Sequence, residues 1–509
     1  MRRHRSVVTV LVSILILAGV LPLPAWAAAP VRGGRLTVAI RVNPSSLDPV
    51  LARSGDDRHT LFQINEGLVT LDEKLNIVPA LAESWSIPDP RTVVFKLRRG
   101  VKFHDGTDFN ARAVQQHFDR VRDPATRSPW GADYKDIEAV VAVDDFTVKF
   151  ALKAPSAPLL ANLADMGGLI PSPAALQKFG KDYGRHPVGT GPFQLVEWVQ
   201  DDHLLLRRNP QYREPGFPYL DEVYVRFIPD DTVKVTSLRS GDVDLIDFAP
   251  PRDAAALKAD SSLRYVVTPG LGYLHLQFNA EKPPFNQKLL RQAVALAIDR
   301  EAIGKVIYFS TGMAPKGPIP PIFGALHGSG ATGSGRDLVK ARSKLAEAGM
   351  PNGFSFTYLN RNDGIMPELA QLIQAQLAEV GIKATIEMLD INQQLVELRE
   401  GRYHAAPRTN PGRADVDGNF TRFFHSKGGI NYGRYRNPEA DRLMDLGAAT
   451  YDPTKRVGVY RELEKLIVDE APTVFLYHYA QDKAMSKKVQ GFRPIPDGML
   501  RFKTMWKEK

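Results

Sequence analysis

The chain has 509 residues, with 66 Lys or Arg against 57 Asp or Glu for a net charge of +9, 43% hydrophobic and 24% charged residues, and no cysteine. Charges of both signs at this density, with no basic run longer than three, describe an ordinary solvated surface and argue against a nucleic-acid partner. Without cysteine there is no disulfide, no thiol nucleophile and no lipid anchor through an N-terminal cysteine.

Arg2, Arg3 and Arg5 precede an apolar run from Val7 to Leu21, which Pro22 and Pro24 end, and Ala25-Trp26-Ala27 then supplies small residues at −3 and −1 of a cleavage site. This is the tripartite pattern of a secretory signal. The run is shorter than the roughly 20 residues a membrane span needs. Cleavage after Ala27 is therefore expected, leaving a soluble, unlipidated protein in the periplasm. Losing the three arginines lowers the net charge from +9 to +6. About 480 remaining residues exceed what one core supports, so two or three domains are expected.

The first half reads as strands. Leu36, Val38 and Ile40 alternate with other residues, and Thr92–Leu97, Thr147–Leu152 and Tyr224–Ile228 are further short β-rich runs. Ala111–Val121 is the one clear early helix, with Val114, Phe118 and Val121 on one face. The second half alternates helix and strand. Gln287–Tyr308 has the periodicity of one long helix, and Glu368–Val380 repeats it, closed by Gly381 before the strand-like Ile382–Leu389. Asp452-Pro453 opens a helix to about Glu470, and a β run Thr473–Tyr477 follows.

Catalytic signatures fail one by one. The stretch Gly328 to Gly335 is a surface loop, because no Lys-Ser/Thr follows its last glycine and no strand leads into it, so it is not a phosphate cradle. Asp415-Val416-Asp417-Gly418-Asn419 starts like a calcium loop, but Phe420 and Ser426 stand where glycine and glutamate belong. The 11 histidines form no zinc spacing, and there is no Gly-x-Ser-x-Gly elbow. No catalytic residue, metal site or cofactor is expected.

Eight short segments stand in a distinctive order: Ser46-Leu47-Asp48-Pro49, Glu66-Gly67-Leu68, Pro79-Ala80-Leu81-Ala82-Glu83-Ser84-Trp85, Phe95-Lys96-Leu97-Arg98, Val101-Lys102-Phe103-His104-Asp105-Gly106-Thr107, Gly189-Thr190-Gly191-Pro192-Phe193, Asn209-Pro210-Gln211-Tyr212 and Arg291-Gln292-Ala293-Val294. In this order the chain resembles the bacterial extracellular solute-binding proteins of family 5, which include the oligopeptide- and dipeptide-binding receptors of ABC importers. The resemblance spans nearly the whole chain after the signal. It implies an α/β, two-lobed periplasmic-binding-protein (venus flytrap) fold with an additional β-rich domain inserted in the first lobe. Its implied boundaries are 28–64, 186–270 and 479–509 for lobe I, 65–185 for the additional domain and 271–478 for lobe II. The crossings near 270 and 479 would form the hinge.

The same resemblance places ligand contacts. The stretch after the Leu-Asp-Pro motif is Arg53, Ser54 and Gly55, and the aromatic after Ser128-Pro129 is Trp130, which either stacks on the ligand or fills a core. Lobe II contributes Arg408, Asn410, Gly412 and Arg413, and Arg361 lies near a carboxylate-binding arginine of dipeptide-binding relatives. Those relatives carry an aspartate for a peptide's amino terminus where this chain has Gly412 beside Arg413. A guanidinium in place of a carboxylate favours an anionic ligand. The resemblance thus implies a monomeric receptor that hands a small peptide-like or anionic solute to an ABC permease and ATPase complex in the inner membrane. Glutathione-like peptides, opines and sugar-derived acids stay open, as do a secreted hydrolase and a receptor used only for chemotaxis or signalling.

Overall fold

In the computed structural model, which describes residues 29–53, 55–328 and 335–508, the strands sort into three main sheets. The expected export segment, Ser54 and residues 329–334 of the glycine-rich stretch lie outside the described residues. The first sheet has seven strands in the order Leu263–Val266, Lys483–Ser486, Leu245–Ile246, Arg35–Ile40, Glu222–Phe227, His203–Arg208 and Phe193–Val199. Arg35–Ile40 is its parallel centre, paired with Glu222–Phe227 and Leu245–Ile246, and antiparallel strands complete both sides. The second sheet has five strands: Lys383–Leu389, Ser355–Arg361, Ala405–Asn410, Tyr273–Phe278 and Thr473–Tyr477. Tyr273–Phe278 is buried at every position, as a strand covered on both faces must be.

The third sheet is an antiparallel set of four strands, Ala82–Asp89, Thr92–Leu97, Thr147–Leu152 and Ile137–Asp144. Alternation in Thr92–Leu97 turns Val93, Phe95 and Leu97 inward. The helix Ala111–Arg122 covers this face, started by Asn110, whose side chain accepts the Ala113 N–H at 3.1 Å. Phe118 meets Phe150 edge-on at 5.1 Å between ring centres, and Phe150 meets Phe95 at 5.4 Å. One apolar cluster runs from Leu36 and Leu206 of the first sheet through Phe95, Phe118 and Leu152 to Met505. The four-stranded region and the first sheet therefore share a core, whereas the five-stranded sheet has its own around Leu276, Val294 and Ile373.

Two segments cross between the seven- and five-stranded sheets, and they are bonded to each other. The Thr268 N–H donates to the Asp482 carboxylate at 2.9 Å, Tyr265 Oη donates to its other oxygen at 2.7 Å, and the Gln481 N–H donates to the Thr268 carbonyl at 2.8 Å. Asp482 thus holds the crossings side by side.

One expected element is corrected. The helix expected over Gln287–Tyr308 is two, Lys288–Ala297 and Arg300–Val306. Ile298 is extended, and Asp299 caps the second helix by accepting the Ala302 N–H at 2.9 Å. The apolar period runs through the break, so only the Asp-Arg-Glu start of the second helix betrays it.

Several histidines are sealed into these cores. His59, His104, His117 and His478 are each pulled down to about 4 by burial, and His275 falls well below its ordinary value for the same reason. Asp417 opposes them, pushed up to about 6 by burial and then by Asp415. Between pH 6.5 and 4 the unfolded chain binds histidine protons that the native state refuses, so stability rises with pH through that window. Asp417, whose native form holds its proton between pH 3.8 and 6, subtracts about one proton from the difference. Unfolding at pH 5 should take up roughly four protons net. Thermal melts across pH 4–7 read this as a melting temperature that falls steeply on acidification, and a flat profile would contradict it.

Candidate functional site

The strand Ala405–Asn410 leads at its carboxyl end into a turn that meets residues of the first half of the chain at a shared cleft, the kind of position where α/β sheets hold ligands. Arg58, Asp165, Leu271, Gly412, Arg413 and Asp497 wall its centre, around a cavity of about 10 Å³. That is room for about one water. A solute can enter only if the walls move apart.

Charge pairing closes the walls. Arg413 is ion-paired with Asp165, lies 3.7 Å from Asp133, and sits over the Trp130 ring with its guanidinium carbon 4.9 Å from the ring centre. Asp165 also holds Arg58 at 2.9 Å. Burial alone would push the Asp165 carboxyl up, but Arg58 and then Arg413 bring it down to about 2. Asp415 is bound by both terminal nitrogens of Arg456 at 2.6 and 2.7 Å, and Asp497 by those of Arg501 at 2.6 and 3.0 Å. Asp133, Asp165, Asp415 and Asp497 each thus face an arginine of the chain itself.

Two other arginines differ. Arg408 stacks on Tyr432 at 4.9 Å, and its Nε is buried without a hydrogen-bond partner among the described residues. Burial lowers its pKa, and Arg361 and Arg399 add like charge. Arg361 lies level with Arg408 on the neighbouring strand, three residues beyond the Tyr358–Ala405 pair, and stands 2.9 Å from Asp363. Burial also lowers the pKa of Arg422, with Arg413 as a nearby like charge; Asp133 and Asp165 act on it only at longer range. Among the described residues, neither Arg408 nor Arg422 has a carboxylate within ion-pair distance.

The structure therefore brings Arg361, Arg408, Asn410, Gly412 and Arg413 to one side of the cleft and sets Trp130 against Arg413 from the other, with three corrections of role. Arg413 is not free for a ligand but paired with Asp165. Gly412 marks a backbone requirement: its φ is +77° and a Cβ there would collide with the Leu271 carbonyl, so the local fold itself forbids an aspartate. Asn410 is buried, and its side-chain oxygen accepts the Gly412 N–H at 2.9 Å while its carbonyl accepts from Tyr479 Oη at 2.9 Å, fixing the turn. Arg53 and Gly55 lie exposed and do not line the central cavity; the Arg53 N–H donates to Asp57 at 3.0 Å, and the Gly55 carbonyl accepts the Arg58 N–H at 3.3 Å. The Leu-Asp-Pro motif is a brace, since Asp48 takes both terminal nitrogens of Arg120 at 2.5 and 2.9 Å. Asp165, Asp133, Arg58, Arg422 and Tyr432 went unnoticed in the sequence, where no local pattern marks them.

Asp56, His59 and Asp247 come together closely enough to hold a cation. However, His59 Nδ1 already accepts the Leu500 N–H at 3.1 Å, and Lys483 and Arg58 bring positive charge to the same ring. A divalent ion does not fit that setting.

Residues 76–431 match the family of bacterial extracellular solute-binding proteins, family 5. The chain belongs to that family. It is a substrate-binding protein of the ABC-transporter type and not an enzyme. It is 32% identical over 474 residues to the glutathione-binding protein GsiB of Escherichia coli strain K12, covering 91% of this chain and 92% of that one. The periplasmic binding protein DppA of Helicobacter pylori, solved with the peptide STSA, has a TM-score of 0.83 at 30% identity over 94% of this chain and 99% of its own. AgaA from A.tumefacien R10, solved with agropinic acid, has a TM-score of 0.82 at 29% identity over 94% and 99%. The fold is thus the two-lobed one of this family, whose members are periplasmic. Among the described residues no helix is long and apolar enough to cross a membrane.

Gly412→Ala should destabilise the receptor by about 2 kcal/mol or more, because the left-handed conformation and the Leu271 contact both resist a side chain. Urea denaturation measures this, and an unchanged midpoint would show that the turn relaxes freely.

Proposed function

We propose that this protein is the periplasmic receptor of an ABC importer for a small, amino-acid-derived solute carrying at least one carboxylate, which Arg422 and Arg408, the latter stacked on Tyr432, hold. One observation carries the reading: the cleft's carboxylates are paired internally, while these two half-buried guanidiniums are not. Removing a cation from water without a counter-ion is costly, and a bound anion offsets that cost. Glutathione, agropinic acid and the peptide STSA, each bound by a relative, all bear carboxylates.

The mechanism follows from the two cores. Lobe I (28–64, 186–270 and 479–509) and the additional domain (65–185) move as one because they share a core, and lobe II (271–478) swings on the crossings that Asp482 ties together. Export with removal of residues 1–27 delivers a monomer to the periplasm. There it captures the solute and passes it to the permease and ATPase. Opening exposes Arg408 and Arg422; closure removes water around the captured carboxylate and strengthens its bonds.

Calorimetry with glutathione and agropinic acid tests the reading. At least one should bind, and Arg408→Ala or Arg422→Ala should weaken it roughly tenfold or more while leaving the melting temperature of the solute-free protein nearly unchanged. Full affinity in both variants would refute the assignment.

A further inference from the structure

Trp130 and the carboxylates around it are arranged more firmly than a surface ion pair requires. Trp130 is anchored by its indole N–H, which donates to the Ala52 carbonyl at 3.1 Å, and by its backbone N–H on Ser128 Oγ at 3.2 Å. Gly167 leaves the space that its ring root occupies, since a Cβ at 167 would come within 2.8 Å of the Trp130 side chain. Asp165 is pinned by the Met166 N–H at 2.7 Å and by Arg58 at 2.9 Å. Asp133 lies in the short helical turn Gly131–Tyr134 that follows Trp130, and Tyr134 Oη fixes that turn by donating to the Asn162 carbonyl at 2.9 Å. An aromatic face and two carboxylates held in this way make a preformed receptor for a planar cation.

The cation that fills it comes from the other side of the cleft. Arg413 reaches across from the turn after Ala405–Asn410, and Gly418 makes room for its stem, because a Cβ at 418 would strike the Arg413 side chain. Glycines on both partners are thus fitted to this one contact.

We propose that Trp130, Asp133 and Asp165 form a guanidinium box on the first half of the chain, which Arg413 of lobe II fills, so that the receptor clasps its own cation instead of recognising an ammonium group of the solute. This rests on the two-lobe reading above. The clasp joins the lobes at the cleft centre, and Arg413 is a positioning residue that sets how readily they close. It also narrows the solute class: with the box filled, a solute whose amine is blocked should bind as well as one whose amine is free.

The test needs no solute, so it can fail while the carboxylate assignment stands. Methylguanidinium is titrated at low millimolar concentration into wild-type protein, Arg413→Ala and the double variant Arg413→Ala/Asp165→Asn, following Trp130 fluorescence and melting temperature. Arg413→Ala should melt about 3 °C lower than wild type. Methylguanidinium should restore most of that loss, with at least roughly tenfold tighter binding than to wild type or to the double variant. Equal responses in all three proteins would overturn the proposal. If Arg413→Ala does not fold, Arg413→Gln keeps the stem and is measured by small-angle scattering. A larger radius of gyration than wild type supports the clasp, and an unchanged radius overturns it.

Discussion

Asp165 is the interaction on which the cleft depends. It faces Arg58 from the early part of the chain and Arg413 from the late part, and among the described residues it is the one carboxylate of the cleft paired with arginines of both. Burying it without them would cost several kcal/mol, so its position requires both arginines and theirs requires it. The close approach of the cleft walls and the water-sized space at the centre follow from that mutual requirement.

The consequence for recognition is an imbalance. The arginines that meet across the cleft cancel its carboxylates, and unpaired positive charge is left on Arg408, stacked over Tyr432, and on Arg422. A receptor of this kind discriminates by what it leaves unpaired. A neutral solute would leave two desolvated guanidiniums uncompensated, and a cationic one would add to the repulsion between Arg408, Arg361 and Arg399. The core arrangement supports the same task. Because the first sheet and the four-stranded region share one apolar cluster that includes Trp130, the ring and the neighbouring Asp165 are held on one rigid body.

Much of this fold was legible in the chain. The strands Thr92–Leu97, Thr147–Leu152 and Thr473–Tyr477 and the helix Pro453–Glu470 stand where alternation, capping and proline placed them. The break at Ile298-Asp299 was hidden because the apolar period continues through it, and a period reports which face is buried rather than whether the helix is continuous. The site was legible only in halves. Trp130 and Arg413 stand out by their neighbours in sequence, but their partner Asp165 is 248 residues from Arg413, and nothing local announces it. Gly412 invited a reading about a missing carboxylate, whereas its φ of +77° and the Leu271 carbonyl explain the glycine without reference to a ligand. Arg422, in the short helix Thr421–Phe424, looks like any surface arginine until the fold half-buries it.

The central claim is that the unpaired arginines of the second lobe select an anion. Mass spectrometry of the solute released on denaturing receptor purified from its native host tests it most directly. A carboxylate-bearing compound with net negative charge at pH 7 is the predicted result, and a neutral or cationic compound would contradict the account.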